Sequence, residues 1–323
     1  MASGGPAYFA SMCRLGVRAG LGMASERPTH VVETQPDQQI EKPPPFSPSV
    51  HIDVSGLSHL GNVRARNEDH FIVARIGRYL ETVITSLPAG EVPERADESG
   101  YAIVVADGMG GHAGGELASR MAIGGLMKLV LAMPDWIFRL DETVASSAAQ
   151  RSKRRFRHLN NLLREYGRKD PSFRGMGTTL TAARITGRDL RVVHVGDTRA
   201  YLLRGDTLHR LTRDHTYVQM LVDTGVLSDA EAARCGVRHV LMNALGGSSE
   251  DVEVDVNELQ LTDGDRLMLC SDGLTDLVDD EAIRQVLIDC RESAQACRRL
   301  IDLALAGGGR DNVTAVVATC TFS

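Results

Sequence analysis

The chain has 323 residues, enough for one large domain or two ordinary ones, and 43% of them are hydrophobic, so a substantial core can form. A net charge of −6, a pI of about 5.9 and the lack of a basic run interleaved with aromatic residues argue against a nucleic-acid-binding protein. No apolar run reaches the ~18 residues needed to cross a membrane. The six cysteines show no zinc-type spacing, so we expect free thiols in a reducing cytoplasm. Nothing in the sequence demands more than a monomer, so a monomer is expected.

The N-terminal part, residues 1–50, ends in a polar, proline-rich run and is predicted to be a flexible tail ahead of one domain over residues 51–323. Strands are predicted over Tyr101–Ala106, Thr179–Ile185, Leu190–Val195, Ala200–Leu203 and Arg266–Cys270. Helices are predicted at about residues 115–132, 142–167, 215–224, 280–288 and 294–306. Short turns between the strands favour antiparallel pairing, so the pattern predicts an α+β fold in which helices cover antiparallel sheets.

Carboxylates recur at the ends of apolar runs. Each acidic turn alone is ordinary turn chemistry, but Asp107, Asp272 and Asp311 directly follow or open strand-like runs in separate parts of the chain. Acids that converge at strand ends repel one another unless cations neutralise them. A set of oxygen ligands without nearby His or Cys selects Mg²⁺ or Mn²⁺ over zinc, without distinguishing these two. Gly108 allows close backbone approach, so its carbonyl is a further candidate ligand.

An arginine stands near the first acidic segment. Arg64 lies four residues before Glu68. Its planar guanidinium matches a phosphate group, whereas a lysine would be only a point charge. Taken alone, a surface ion pair with a carboxylate is the better explanation of this arginine.

Eight segments, in this order along the chain, resemble the metal-dependent serine/threonine protein phosphatases of type 2C, especially bacterial-style members. They are VRARNEDHF (63–71), VVADGMGGHAGGELAS (104–119), GMGTTLTAA (175–183), VVHVGDTRAYLL (192–203), LTRDHT (211–216), VLMNALGG (240–247), LMLCSDGLTDLV (267–278) and GGRDNVTAVV (308–317). The resemblance implies a four-layer α/β/β/α sandwich with two antiparallel sheets around a dinuclear metal site. It also implies hydrolysis of phosphoserine and phosphothreonine in phosphoproteins, reversing a serine/threonine kinase, by a hydroxide that bridges the metals.

Carried over residue by residue, the resemblance implies the metal ligands. Asp107 would bridge two Mn²⁺ or Mg²⁺ ions, and the Gly108 carbonyl would bind one of them. Asp272 and Asp311 would complete the coordination of the other ion. Asp197 would help to bind a third, weaker metal together with Asp272.

The resemblance also implies roles around the metals. Glu68 and Asp69 would hold metal-bound waters, and Arg64 would bind the substrate phosphate. Residues 214–245 resemble a mobile flap beside the site. Met109 stands where eukaryotic members have a histidine that serves as general acid, so either His112 or water is left for that role.

Three other interpretations also apply to parts of this sequence. Residues 108–113 fit a dinucleotide-binding glycine pattern, but Asp107 directly before the first glycine would oppose a pyrophosphate. A catalytically inactive, signal-binding relative is disfavoured because Asp107, Asp272 and Asp311 are all present together with Arg64. A phosphatase acting on small metabolites is not excluded by the sequence.

Overall fold

The computed structural model describes residues 50–88, 90–110, 114–132, 144–232 and 234–322. Apart from Val50, the expected N-terminal tail lies outside these residues, and so does His112. Within the described part of the chain, no helix has both the length and the apolar character that a bilayer crossing demands.

Thirteen strands and seven α-helices are described, with a short 3-10 helix at Pro171–Phe173. The strands are β1 (Val50–His59), β2 (His70–Glu81), β3 (Arg95–Ala106), β4 (Gly108–Met109), β5 (Gly177–Thr178), β6 (Leu180–Thr186), β7 (Asp189–Val195), β8 (Arg199–Arg204), β9 (Thr207–Arg210), β10 (Leu245–Gly246), β11 (Asp255–Gln260), β12 (Arg266–Cys270) and β13 (Val313–Phe322). The helices are α1 (Gly114–Ala132), α2 (Val144–Lys169), α3 (Tyr217–Asp223), α4 (Asp229–Ala232), α5 (Asp272–Thr275), α6 (Asp280–Asp289) and α7 (Ser293–Ala306).

The long strands form two five-stranded sheets. The first has the order β1-β13-β12-β8-β9 and the second has the order β11-β7-β6-β3-β2. Neighbouring strands within both sheets pair antiparallel, as predicted. The three short strands β10, β5 and β4 form a separate small sheet.

Alternating side chains place each sheet between two apolar layers. On β12, Met268 and Cys270 pack with residues of α6 and α7, while Leu267 and Leu269 pack in the core between the two sheets. A third core lies where α1 and α2 cover the second sheet. Because successive strand residues point to opposite faces, a strand that is buried on both faces reads as a continuous apolar run. The result is the four-layer α/β/β/α arrangement that the resemblance implied.

The predicted strands are all interior strands of the two sheets. The strands that no prediction named include all four edge strands, β1, β2, β9 and β11. Each of these pairs with a single neighbour and keeps exposed residues, as the burial pattern of β1 shows. An edge strand can therefore form from a mixture of polar and apolar residues, and such a mixture gives little indication of a strand in the sequence.

Candidate metal centre

The carboxylates singled out from the sequence are brought to the same end of the sandwich by both sheets. Glu68 and Asp69 precede β2, Asp107 follows β3, Asp197 follows β7, Asp272 opens α5 just after β12, and Asp311 precedes β13. All of these except Asp69 line one cleft of about 1060 Å³, which is also lined by Arg64 and Gly108. Asp69 is buried, with 3% of its surface exposed.

The Asp107–Gly108 turn is fixed by its backbone. The Asp107 N–H donates to Thr179 Oγ1 at 3.1 Å, and its carbonyl accepts from Thr178 Oγ1 at 2.7 Å. The Gly108 N–H donates to the carbonyl of Glu68 at 3.2 Å. A Cβ on Gly108 would lie 2.1 Å from the carbonyl oxygen of Gly115, so only glycine lets β4 pass this close to α1. These contacts use no side-chain oxygen of Asp107, which leaves its carboxylate for a ligand in the cleft.

Asp69 is held by hydroxyl groups from the opposite sheet. Its Oδ2 accepts from Ser271 Oγ at 2.6 Å and from Thr314 Oγ1 at 2.7 Å. Its Oδ1 is buried and has no hydrogen-bond partner among the residues that the structure describes. A buried, half-satisfied carboxylate is costly, so a polar or charged group is expected to complete it.

The carboxylates in this group repel one another, as expected of acids that bind a cation. Burial, followed by the charges of Asp69 and Asp272, raises the pKa of Asp107 well above its ordinary value. Burial, followed by the charge of Asp272, also raises the pKa of Asp197. Both carboxyls are therefore disfavoured as anions unless positive charge enters the cleft.

Asp272 and Asp311 present their oxygens differently. Asp272 Oδ1 is buried and has no hydrogen-bond partner in the described part of the chain. Asp311 Oδ1 accepts from the Asn312 N–H at 2.8 Å, and its Oδ2 accepts from Arg64 Nη2 at 2.6 Å. This bond, ahead of the opposing effect of burial, raises the pKa of Arg64, so the guanidinium beside the acids stays charged.

These residues fit hard divalent cations. The cleft offers carboxylate and backbone oxygens, which Mn²⁺ and Mg²⁺ prefer. Asp69 and Asp272 each have one buried oxygen that bonds to none of the described residues. Asp107, Asp272 and Asp311 do not gather their oxygens around a single point. A dinuclear site spans ions about 3.5–4 Å apart, so its ligands need not meet at one centre.

The structure adds two residues to this site that the sequence did not single out. Among the described residues, one group offers ligand atoms that all lie within 4.8 Å of one another, and it consists of His239, Asp272 and Asp276. His239 Nδ1 lies 3.2 Å from Asp276 Oδ2, and Arg238 Nε lies 3.5 Å from Asp276 Oδ1. Asp276 follows Asp272 by four residues, one helical turn, so this spacing was a signal that could have been read. No local pattern points to His239, which reaches the cleft only through tertiary structure.

The segment over residues 214–245 borders the cleft through Arg238, His239, Leu241 and Met242. Its two ends are tied together, because the Met242 N–H donates to the His215 carbonyl at 2.9 Å. Asn243 Nδ2 also lies 2.7 Å from His215 Nδ1. The two ends of the segment are therefore anchored to each other beside the cleft.

The pKa of Asp69 gives a testable pH dependence for the metal-free protein. Burial raises this pKa to about 7, against hydrogen bonds from Ser271 and Thr314 that lower it. Between about pH 4 and pH 7 the folded chain then holds a proton that the unfolded chain has lost. Stability therefore falls with rising pH, by up to about 1.4 kcal/mol per pH unit.

We expect the melting temperature of EDTA-treated protein to fall between pH 4 and pH 7, and the fall to be shallower in Asp69→Asn, which cannot ionise. Thermal unfolding followed by circular dichroism across this range measures both slopes. Equal slopes in the two proteins would contradict the assignment of the proton to Asp69.

Comparisons with known proteins place this architecture in a family. The profile of the family described as Protein phosphatase 2C matches residues 94–305. Serine/threonine protein phosphatase PstP of Mycobacterium tuberculosis is 42% identical over 235 residues, which are 71% of this chain and 43% of PstP. The chain thus spans less than half the length of this relative. Serine/threonine phosphatase stp of Listeria monocytogenes is 34% identical over 219 residues, which are 67% of this chain and 82% of that protein.

Solved structures agree with the sequence relatives. The crystal structure of the catalytic domain of PstP in complex with two manganese ions has a TM-score of 0.65 at 36% identity and covers 84% of this chain and 100% of that one. Another crystal structure of Mycobacterium tuberculosis PstP has a TM-score of 0.66 at 37% identity and covers 83% of this chain and 98% of that one. From the family profile, the identity to these relatives and the shared fold, we conclude that the chain belongs to the protein phosphatase 2C family.

Proposed function

We propose that this protein is a metal-dependent phosphatase that hydrolyses phosphoserine and phosphothreonine in phosphoproteins. The observation that carries the proposal is the cleft in which Asp107, Asp272 and Asp311, supplied by both sheets, stand beside the guanidinium of Arg64. The relatives named as serine/threonine phosphatases support the same reaction.

The proposed role of the carboxylates in the cleft is to bind the metal ions that catalyse the reaction. Phosphate monoester hydrolysis needs accelerations of up to roughly 10²¹, whereas general acid–base catalysis supplies about 10²–10⁴. We propose that Asp107, Asp272, Asp311 and the Gly108 carbonyl hold two Mn²⁺ or Mg²⁺ ions. The structurally similar catalytic domain of PstP was crystallised in complex with two manganese ions, which supports the number of ions. When bound, such ions lower the pKa of a water molecule and stabilise charge on phosphoryl oxygens.

The remaining acids surround this set. Glu68 and Asp69 are proposed to orient water molecules at the metals, and Asp197 is proposed to hold a third cation together with Asp272. The burial of Asp69 and the repulsion between Asp197 and Asp272 support these roles.

Arg64 is proposed to bind the substrate phosphate. Its side chain is 55% exposed on the cleft and is held 2.6 Å from Asp311 Oδ2, so one edge of the guanidinium is fixed while the side chain stays accessible to substrate. We expect Arg64→Ala to raise KM for a phosphopeptide about tenfold or more, with a smaller change in kcat.

Steady-state kinetics at saturating Mn²⁺ measure this split, with Arg64→Lys as a partial rescue. An unchanged KM in Arg64→Ala would contradict the assignment.

The flap, the physiological partners, the oligomeric state and the location are also proposals. Residues 214–245 are proposed to be a flap that favours protein substrates, because the segment borders the cleft. We propose phosphorylated proteins as substrates and a serine/threonine kinase as the opposing enzyme. A monomer, a cytoplasmic location and the tail over residues 1–50 likewise stay predictions.

A phosphopeptide-release assay with and without EDTA tests the function. We expect phosphate release from phosphoserine and phosphothreonine peptides to cease after chelation and to return when Mn²⁺ or Mg²⁺ is added. Cleavage of p-nitrophenyl phosphate without cleavage of any phosphopeptide would favour a small-metabolite phosphatase instead. Isolation of a covalent phosphorylated enzyme intermediate would argue against direct hydrolysis.

A further inference from the structure

Two arginines line the cleft without an ion pair to any of the described residues. Arg66 and Arg310 are exposed and border the same cleft as Arg64. Within the described ranges neither forms an ion pair, whereas Arg64 contacts Asp311 and Arg238 contacts Asp276. We call Arg66 and Arg310 the arginine rim.

The arginine rim is built on two loops that are bonded to each other. Asn62 joins them from one side, since its N–H donates to the Gly309 carbonyl at 2.7 Å and its Nδ2 donates to the Gly308 carbonyl at 3.2 Å. Gly61, with a φ of 82°, lets the loops touch, because a Cβ there would lie 2.2 Å from the carbonyl oxygen of Asp311.

Asn312 joins the two loops from the other side. It is 5% exposed, and its Nδ2 donates to the Arg66 carbonyl and to the Leu60 carbonyl, both at 2.9 Å. The same side chain accepts from the Glu68 N–H at 2.8 Å. One buried amide therefore fixes the backbone of Arg66 beside the loop that carries Arg310.

We propose that the arginine rim binds a second anionic group of the substrate, so that the enzyme prefers phosphoproteins with an acidic or phosphorylated residue a few positions from the phosphate to be removed. This inference rests on the proposed function. The two guanidiniums lie on loops that are hydrogen-bonded to each other. They repel each other only weakly in water, and an anion bound between them would attract both. The planar guanidinium binds carboxylate and phosphoryl oxygens in the same forked geometry, so both kinds of anion fit the rim.

The ion pairs found among the described residues of the cleft do not involve the arginine rim. Arg64 and Arg238 already contact Asp311 and Asp276. Burial raises the pKa of Glu68, and the charge of Arg66 opposes this rise less than the charge of Arg64 does. Among the described residues, no hydrogen bond joins Arg66 to the Glu68 carboxylate. The arginine rim is thus free to contact substrate residues that flank the cleaved one.

Three phosphothreonine peptides test the inference: one with neutral flanking residues, one with glutamates and one with a second phosphothreonine. With wild-type enzyme we expect kcat/KM to be about tenfold higher for the anionic peptides than for the neutral one, and the preference to shrink with added salt. In Arg66→Gln/Arg310→Gln this ratio should fall to near one, and in Arg66→Glu/Arg310→Glu it should invert.

Arg299→Gln, an exposed arginine of α7 away from the cleft, is the matched control and should keep the wild-type ratio. A preference for the doubly phosphorylated peptide alone would assign the rim to phosphoryl groups, and a preference for both would assign it to anions in general. Equal rates on all three peptides, or a ratio that survives in the double variant, would overturn the inference while leaving the phosphatase activity in place. Hydrolysis of none of the peptides would overturn the proposed function as well.

Discussion

Asp272→Ala is expected to abolish turnover, with kcat reduced by roughly a thousandfold or more. Asp272 contributes to the raised pKa values of Asp69, Asp107 and Asp197, so it stands electrostatically at the centre of the acidic group. It also has a buried oxygen without a partner in the described residues. Removing it takes away a ligand that we propose for two cations, and with it the charge stabilisation on which hydrolysis depends.

The measurements are kcat for p-nitrophenyl phosphate at saturating Mn²⁺ and the metal content of the dialysed protein. Asp289→Ala, an exposed aspartate at the end of α6, is the matched control and should behave like wild type. Wild-type rates in Asp272→Ala with added Mn²⁺ would refute the metal centre as assigned.

Asp214→Ala is expected to cause the largest loss of stability, about 3–5 kcal/mol, because it removes one side of a buried ion pair. The Asp214 side chain is 10% exposed and accepts from Arg199 Nη2 at 2.7 Å and from Arg199 Nε at 3.1 Å. It also contacts Arg210. Burial opposes its ionisation, but the neighbouring guanidiniums outweigh burial and lower the pKa of Asp214. Without the carboxylate, the largely buried guanidinium of Arg199 is left uncompensated.

Thermal unfolding should show a drop in melting temperature of about 10 °C. Glu165→Ala is the control, because it breaks an ion pair with Lys169 in which both side chains are exposed, the glutamate at 64% and the lysine at 74%. Exposed pairs contribute little to stability, so this variant should melt within about 3 °C of wild type. A similar, small drop in both variants would show that the Asp214 pair does not stabilise the fold.

Sequence patterns located the interior of the fold well. The predicted strand over Arg266–Cys270 coincides with β12, and the helix predicted at about residues 294–306 corresponds to α7 (Ser293–Ala306). Such elements are buried on one or both faces, so their apolar residues recur with the period of the element. Edge strands such as β1 and the four-residue helix α5 lack a long apolar period, and nothing in their own residues marks them.

The sequence likewise indicated some residues of the candidate site and not others. The acids that follow or open apolar runs, Asp107, Asp272 and Asp311, were readable because strand ends in a layered fold converge at its rim. His239, Asp276 and the arginine rim were not singled out. His239 comes from the segment over residues 214–245, and the arginine rim depends on hydrogen bonds made by Asn62 and Asn312 across more than 240 residues of chain.

The amino-acid sequence alone indicates the buried strands and helices, the acids at their ends and the family that the motifs resemble, because these are properties of neighbouring residues. The burial of Asp69 against Ser271 and Thr314 and the shared rim of Arg66 and Arg310 depend on tertiary contacts. Burial and the proximity of charges follow from which distant segments the two sheets bring together. A local sequence pattern does not predict which distant segments come together.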